Sequence, residues 1–210
     1  MIPALVPFKA PRLAKSRLRP ELGPATEALT LAMLGDVLES LLAVDGLGPI
    51  VVVTPDERVA AVAREAGARA LVRDDPGLNP AVDAAAAEIG GGAPALLIVQ
   101  GDVPGARPEE IRRILAAAPG RGVVLVPSRD GGTSALLRVP PDVIPGAFGP
   151  DSAARHRELA GRAGVACVEL ELPSLAIDVD DAHDLGALVA GAAPAPRTRA
   201  LLRELRSGSA

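Results

Sequence analysis

Short apolar runs alternate with longer stretches whose apolar positions recur every three or four residues, and the alternation holds through residue 126. Runs of three to six residues without internal polar alternation read as strands covered on both faces, while the 3.6-residue period reads as amphipathic helix. The pattern predicts strands at Ile2–Val6, Ile50–Thr54, Ala70–Val72, Ala95–Val99, Val123–Pro127, Ala135–Val139, Val165–Leu170 and Leu175–Ile177. Helices are predicted near Thr26–Val44, Asp56–Ala66, Pro80–Ile89, Pro108–Ala117, Ser152–Ala163 and Ala182–Ala190. Thr26 or Asp56 is placed to cap its helix, and Gly67 and Gly90 stand where a C′ glycine belongs. Such alternation specifies an α/β fold: a doubly wound, mostly parallel mixed sheet with helices on both faces. The stretch from 130 to 180 is strand-richer and carries turn signals, which predicts a small antiparallel addition over one end of the sheet.

With no internal repeat and no low-complexity linker, residues 1–195 read as one domain. Pro194 and Pro196 punctuate a final polar helix, about Arg197 to Arg206, within a tail of residues 196–210. That tail is expected to dock loosely or to pair with a second subunit, making a homodimer.

Composition narrows the function classes. Of 210 residues 49% are apolar but only 1% aromatic, so the core must be Leu, Val, Ile and Ala, with Phe8 and Phe148 the two exceptions. A net charge of −4 gives no electrostatic reason to expect a nucleic-acid partner. The single cysteine, Cys167, sits in an apolar run and reads as a small buried hydrophobe of a cytoplasmic protein. Neither a signal-peptide pattern nor a membrane-spanning run is apparent.

Arginine outnumbers lysine twenty to two, a bias expected of GC-rich coding, yet both lysines fall in one segment, Pro7-Phe8-Lys9 through Ala14-Lys15-Ser16-Arg17-Leu18. An ammonium is a compact point charge that reaches phosphate oxygens where a guanidinium fork fits less well. A basic loop just past a first strand is where α/β proteins hold nucleotide phosphates, although two lysines can also meet by chance on a solvated loop.

Four further constellations stand out. Gln100-Gly101-Asp102-Val103-Pro104 follows a central strand and puts a carboxylate where magnesium can bridge to substrate phosphates; the alternative is an Asp that turns the chain. Asp178 and Asp180 would share one side of an extended segment, so that they need a cation between them or one stays solvated, while Asp180 or Asp181 can instead cap the helix from Ala182. Asp130-Gly131-Gly132-Thr133-Ser134 can form an anion nest or an ordinary hairpin turn, with the two hydroxyls as surplus. Phe148-Gly149-Pro150-Asp151-Ser152 enters a helix whose N-terminus can bind an anion or simply be capped. His156 and His183 have no nucleophile or metal partner at the usual spacings and read as structural or solvent-facing. The absence of a base fits chemistry in which an ionised phosphate is already the nucleophile.

Together with Gly77-Leu78-Asn79, these segments resemble the 2-phospho-L-lactate/phosphoenolpyruvate guanylyltransferase family of deazaflavin coenzyme biosynthesis. They occur in the family's order and span nearly the whole chain. The resemblance implies a nucleotidyltransferase fold of the glycosyltransferase-A type, GTP as donor, phosphoenolpyruvate or 2-phospho-L-lactate as acceptor, and magnesium. It further implies that Lys9, Lys15, Ser16 and Arg17 face GTP phosphates, and that Asn79 lies near the nucleoside. Thr133, Gly149 and Ser152 would contact the phospho-acid. Lys9, Lys15 and Asp102 are then the candidate catalytic residues, and Asp102, Asp178 and Asp180 the candidate metal ligands. Asp151 departs from the family's usual glycine and adds a negative charge where an anion is expected. Two other readings are a cytidylyltransferase of the molybdopterin or isoprenoid type, whose Gly-rich opening this chain lacks, and a non-catalytic nucleotide-binding relative.

Overall fold

A computed structural model of the chain describes residues 1–13 and 15–207; Ala14 of the basic segment and residues 208–210 of the tail lie outside the described residues. The strands are β1 (Ile2–Pro7), β2 (Leu47–Thr54), β3 (Arg69–Val72), β4 (Leu96–Val99), β5 (Gly122–Pro127), β6 (Thr133–Val139) and β7 (Ala166–Glu169). They make one seven-stranded sheet in the order β3-β2-β1-β4-β6-β5-β7. Neighbouring strands run parallel except that β6 is antiparallel to both β4 and β5. The expected antiparallel part is thus a single reversed strand inside the sheet, not an appendage over its end. A five-residue connection lets β5 and β6 pair as a hairpin, and β6 then fills the place beside β4.

The helices are α1 (Arg19–Leu22), α2 (Ala25–Leu42), α3 (Glu57–Glu65), α4 (Leu78–Ile89), α5 (Pro108–Ala116), α6 (Ser152–Arg162), α7 (Ala182–Ala190) and α8 (Pro196–Ser207). Alternate strand residues supply two cores, which is why the strands carry no polar alternation. Ala4 and Val6 of β1 join Leu97 of β4, Leu34 of α2, Val59 of α3 and Ile111 of α5 on one face. Leu5 and Ile98 join Val82 of α4 and Ala160 of α6 on the other. Asp56 caps α3 by accepting from the Arg58 amide, whereas α2 begins after Pro24 with no side-chain cap.

The predicted strand Leu175–Ile177 is a turn and a bend followed by irregular chain. Pro173 has no amide to offer a ladder, and the next residue, Ser174, gives its amide to Glu110 instead. The irregular chain after it still runs beside the strand ends, held by Arg129 N to Ala176 O at 3.0 Å and Val179 N to Asp102 O at 3.0 Å.

The tail docks firmly rather than loosely. Helix α8 sets its first turn on the buried carboxylate of Asp36 in α2, which accepts from Arg197 N at 2.8 Å, Thr198 N at 2.9 Å and Thr198 Oγ1 at 2.6 Å. Burial raises the Asp36 pKa, while the bonds from Thr198 and Arg197 pull it back. Asp36→Ala leaves those donors unpaired in a dry interface. It is expected to lower stability by about 2 kcal/mol, read as a shift of the urea unfolding midpoint. An unchanged midpoint would mean that water replaces the carboxylate.

Candidate active site

The topology brings four chain segments to one edge of the sheet. Strands β1 and β4 end there, delivering Phe8-Lys9 and Gln100-Gly101-Asp102. Because β6 is reversed, it begins there, delivering Thr133 and Ser134. The irregular segment carrying Asp178 and Asp180 is tied to Asp102 by the Val179 amide. Gly101 is required locally, since a Cβ at that position would run into the ring of Phe8.

Two chambers open at this edge. The smaller, about 290 Å³, is lined by Phe8, Lys9, Lys15, Thr30 and Gly101. The larger, about 500 Å³, is lined by Arg17, Asp130, Thr133, Gly149, Ser152 and Asp178, among others. Their linings share Leu78, Gln100, Asp102 and Asp180. A cavity of about 640 Å³ lies elsewhere, between α4 and the Pro140–Pro145 loop. Of its three charged lining residues, Asp83, Arg138 and Asp142, the first two are paired with each other at 3.0 Å, and it collects none of the candidate chemistry.

Lys15 stands at the junction. Its Nζ lies 2.6 Å from Asp102 Oδ2 and 2.5 Å from Asp180 Oδ1, and its side chain is only 5% exposed. Burial works against its charge, but the attraction of Asp102 and Asp180 prevails and raises its pKa. Its backbone has φ of 54°, a left-handed conformation that costs a non-glycine residue on the order of 1–2 kcal/mol. Among the described residues Asp178 has no such cation. Burial first, then the charges of Asp102, Asp130 and Asp180, push its carboxyl up to about 7.

The remaining candidates divide. Lys9 is exposed and lines the smaller chamber; Ser16 is exposed and lines neither. Arg17, expected with the GTP phosphates, lines the larger chamber beside Thr133 and Ser152. Asn79, expected near a nucleoside, has both amide atoms on the Phe148 backbone: Oδ1 accepts from the Phe148 amide at 2.7 Å and Nδ2 donates to its carbonyl at 3.1 Å. It braces the loop that carries Gly149. Of the two readings of the glycine pair, the turn prevails. Gly132 N donates to Asp130 Oδ1 and Gly131 N to Ser128 O, so these amides are not converging on an anion. Asp181, with Asp184, caps α7 in a capping box, which leaves Asp180 for Lys15.

Three participants escaped the sequence. Leu78 lines both chambers and lies within the quoted Gly77-Leu78-Asn79 segment, yet nothing marked its apolar side chain. Gln100 lies within a quoted motif, yet nothing marked its side chain, whose Nε2 is buried without a partner among the described residues, as is the Oγ of Ser134, the residue whose carbonyl accepts the Gln100 amide. His156 read as structural or solvent-facing; burial bears out the first alternative, and what the sequence did not mark is its contact with Thr133.

Among the described residues no group of three or more His, Cys, Asp or Glu side chains converges as a ready-made metal cage. The donors present nevertheless suit a hard divalent ion. All are carboxylate oxygens, two already meet on one cation, and a third is destabilised for want of one. Magnesium asks for one or two carboxylates plus substrate phosphates, so the set fits it. No helix among the described residues is long and apolar enough to cross a membrane.

A family model described as "Guanylyl transferase CofC like" matches residues 2–208. The chain is 40% identical to the phosphoenolpyruvate guanylyltransferase of Sphaerobacter thermophilus over 194 residues, covering 91% of this chain and 93% of that one. It is 33% identical to the 3-phospho-D-glycerate guanylyltransferase of Colwellia psychrerythraea, covering 90% and 92%. A solved structure from Desulfovibrio desulfuricans G20, described as a candidate nucleotide-diphospho-sugar transferase, superposes with a TM-score of 0.78 at 19% identity, covering 99% and 96%.

Proposed function

Since the chain belongs to the CofC-like guanylyl transferase family, we propose that it transfers GMP from GTP to phosphoenolpyruvate, with magnesium, and that the product feeds deazaflavin coenzyme biosynthesis. The observation that carries this reading is the pair of chambers meeting at Asp102 and Asp180. A transfer between two phosphate-bearing substrates needs two sites with their reacting phosphorus and oxygen at a common wall.

In this reading the GTP phosphates enter the smaller chamber, where Lys9 and Lys15 offer ammonium groups. The phospho-acid enters the larger chamber, held by Thr133, Gly149 and Ser152, with Arg17 reaching the same side. An oxygen of the acid's ionised phosphate attacks the α-phosphorus of GTP in line. The new P–O bond forms as the bond to the β-phosphate breaks, and the electron pair leaves with pyrophosphate. No base is needed, because the attacking oxygen carries no proton. Asp102 and Asp180, with Asp178 beside them, would hold magnesium. When bound, the ion supplies neutralisation of charge on the exchanging phosphates.

The test is to incubate the protein with GTP and magnesium and, separately, phosphoenolpyruvate, 2-phospho-L-lactate and 3-phospho-D-glycerate, then weigh the products. A guanosine diphosphate ester of enolpyruvate, in which the acid's own phosphate has become the second phosphate, is expected, formed with pyrophosphate and suppressed by a chelator. Formation of no ester of any three-carbon acid would overturn the reading.

Asp151 bears on the acceptor. It is exposed, makes no side-chain cap for α6, and holds φ of 51°, which glycine adopts freely. A carboxylate about 4 Å from a bound phosphate costs ~1 kcal/mol even well screened. Asp151→Gly is therefore expected to leave the Michaelis constant for the phospho-acid unchanged or to lower it by a few-fold. Steady-state kinetics decide, and a large loss of activity would make Asp151 a working residue for some other acceptor.

A further inference from the structure

Three side chains at the back of the larger chamber are sealed from solvent: Thr133 is 5% exposed, Ser152 1% and His156 0%. The backbone amide of Ala147 donates to His156 Nε2 at 3.0 Å. An amide can only donate, so Nε2 carries a lone pair, and in a neutral ring the proton must sit on Nδ1. The ring is neutral at ordinary pH: burial, then the charges of Arg138 and Arg155, lower its pKa to about 4 against the weaker pull of Asp83. Packing fixes its orientation, with the edge-to-face ring of Phe148 at 4.8 Å, and Asn79 in turn clamps the Phe148 backbone.

With that tautomer set, Nδ1–H points at Thr133 Oγ1, 3.0 Å away. Ser152 Oγ lies 3.0 Å from the same oxygen. The two hydroxyls bring two protons, and one of them occupies the space between the two oxygens. Thr133 already accepts from the imidazole, so the second hydroxyl proton has no acceptor inside the triad. It is left for whatever fills the chamber. Had Nδ1 been the bare nitrogen, it would have absorbed that proton and the hydroxyl pair would have nothing to give.

Resting on the assignment of the phospho-acid to Thr133 and Ser152 made above, we infer that His156 is a positioning residue that keeps this hydroxyl pair a net hydrogen-bond donor, tuned to an anionic, acceptor-only group of the acid. It touches no substrate and moves no proton, since both of its nitrogens are engaged by the protein.

The experiment compares steady-state constants for GTP and phosphoenolpyruvate across a short variant set, with unfolding midpoints alongside. His156→Phe keeps an aromatic ring for Phe148 and removes the donor. It should raise the KM for phosphoenolpyruvate by roughly tenfold, the scale of a lost bond to a charged group, with the KM for GTP unchanged. His156→Asn places an amide donor near the Nδ1 position and should recover most of that loss. His156→Gln reaches the Nε2 position instead and should not, so this pair carries the test even where the Phe variant folds poorly. In a Thr133→Val background, His156→Phe should add no further loss. Equal rises in both KM values, an unmoved KM for the acid, or effects that add in the Thr133→Val background would overturn the inference. A wild-type protein inactive on every phospho-acid would instead overturn the underlying assignment, which separates the two failures.

Discussion

Asp102→Asn is expected to abolish guanylyl transfer while leaving the fold standing. Asp102 belongs to the wall shared by both chambers, and its carboxylate is one of two that meet on a single cation. Asparagine keeps the size and removes the charge, so a divalent ion loses half of its paired anchor at the place where charge is exchanged. A loss of at least about a thousandfold in turnover is expected, on the order of 4 kcal/mol of transition-state stabilisation. The fold has reason to survive. Lys15 keeps Asp180 as a partner, and the Asp102 carbonyl still accepts from the Val179 amide. Turnover at saturating magnesium, measured beside circular dichroism and the unfolding midpoint, checks both halves. Near-full activity in the variant would remove Asp102 from the metal site.

Lys15→Ala is expected to lower turnover by roughly a hundredfold at saturating GTP, about 3 kcal/mol for one preorganised charge contact to the leaving pyrophosphate. Several features set this lysine apart from a solvated loop residue: its burial, its strained backbone and its two carboxylate partners. Lys15→Arg should not restore the rate, because a planar guanidinium is too broad for a slot that leaves 5% of the side chain exposed. An unchanged rate constant in the alanine variant would return Lys15 to the ordinary loop reading, and full rescue by arginine would show that charge alone suffices.

The strands were readable because burial on both faces removes polar residues from them: Leu5, Val51 and Ile98 serve one core and their neighbours Ala4, Val52 and Leu97 the other. Lys15 was readable for a compositional reason, as a lysine in a chain that otherwise chooses arginine. Asp102 was readable as an acid just past a central strand, and Asp178 and Asp180 as two like charges on one side of an extended segment. What escaped depended on three-dimensional partners. Leu175–Ile177 looks like a strand until Pro173 and the Glu110–Ser174 bond turn the chain. Asn79, which the resemblance places near the nucleoside, has both polar atoms on the Phe148 backbone, a partnership that no sequence pattern marks. His156 lacks any sequence neighbour of interest, and the role inferred for it rests on a hydroxyl 23 positions away and a backbone amide that decides its tautomer.

The reversed strand has a consequence for how such a protein can diversify. Apart from Arg17, Asp178 and the shared wall, the lining of the larger chamber comes from one unbroken stretch between Ser128 and Ser152. The smaller chamber is gathered from scattered places: Lys9, Lys15, Thr30 and Gly101. On the proposed assignment of the acid to the larger chamber, a lineage can rewrite a single block of about two dozen consecutive residues to exchange one three-carbon acid for another, while the residues proposed for the donor pass on untouched. Relatives of similar length named for phosphoenolpyruvate and for 3-phospho-D-glycerate are what such inheritance would leave behind.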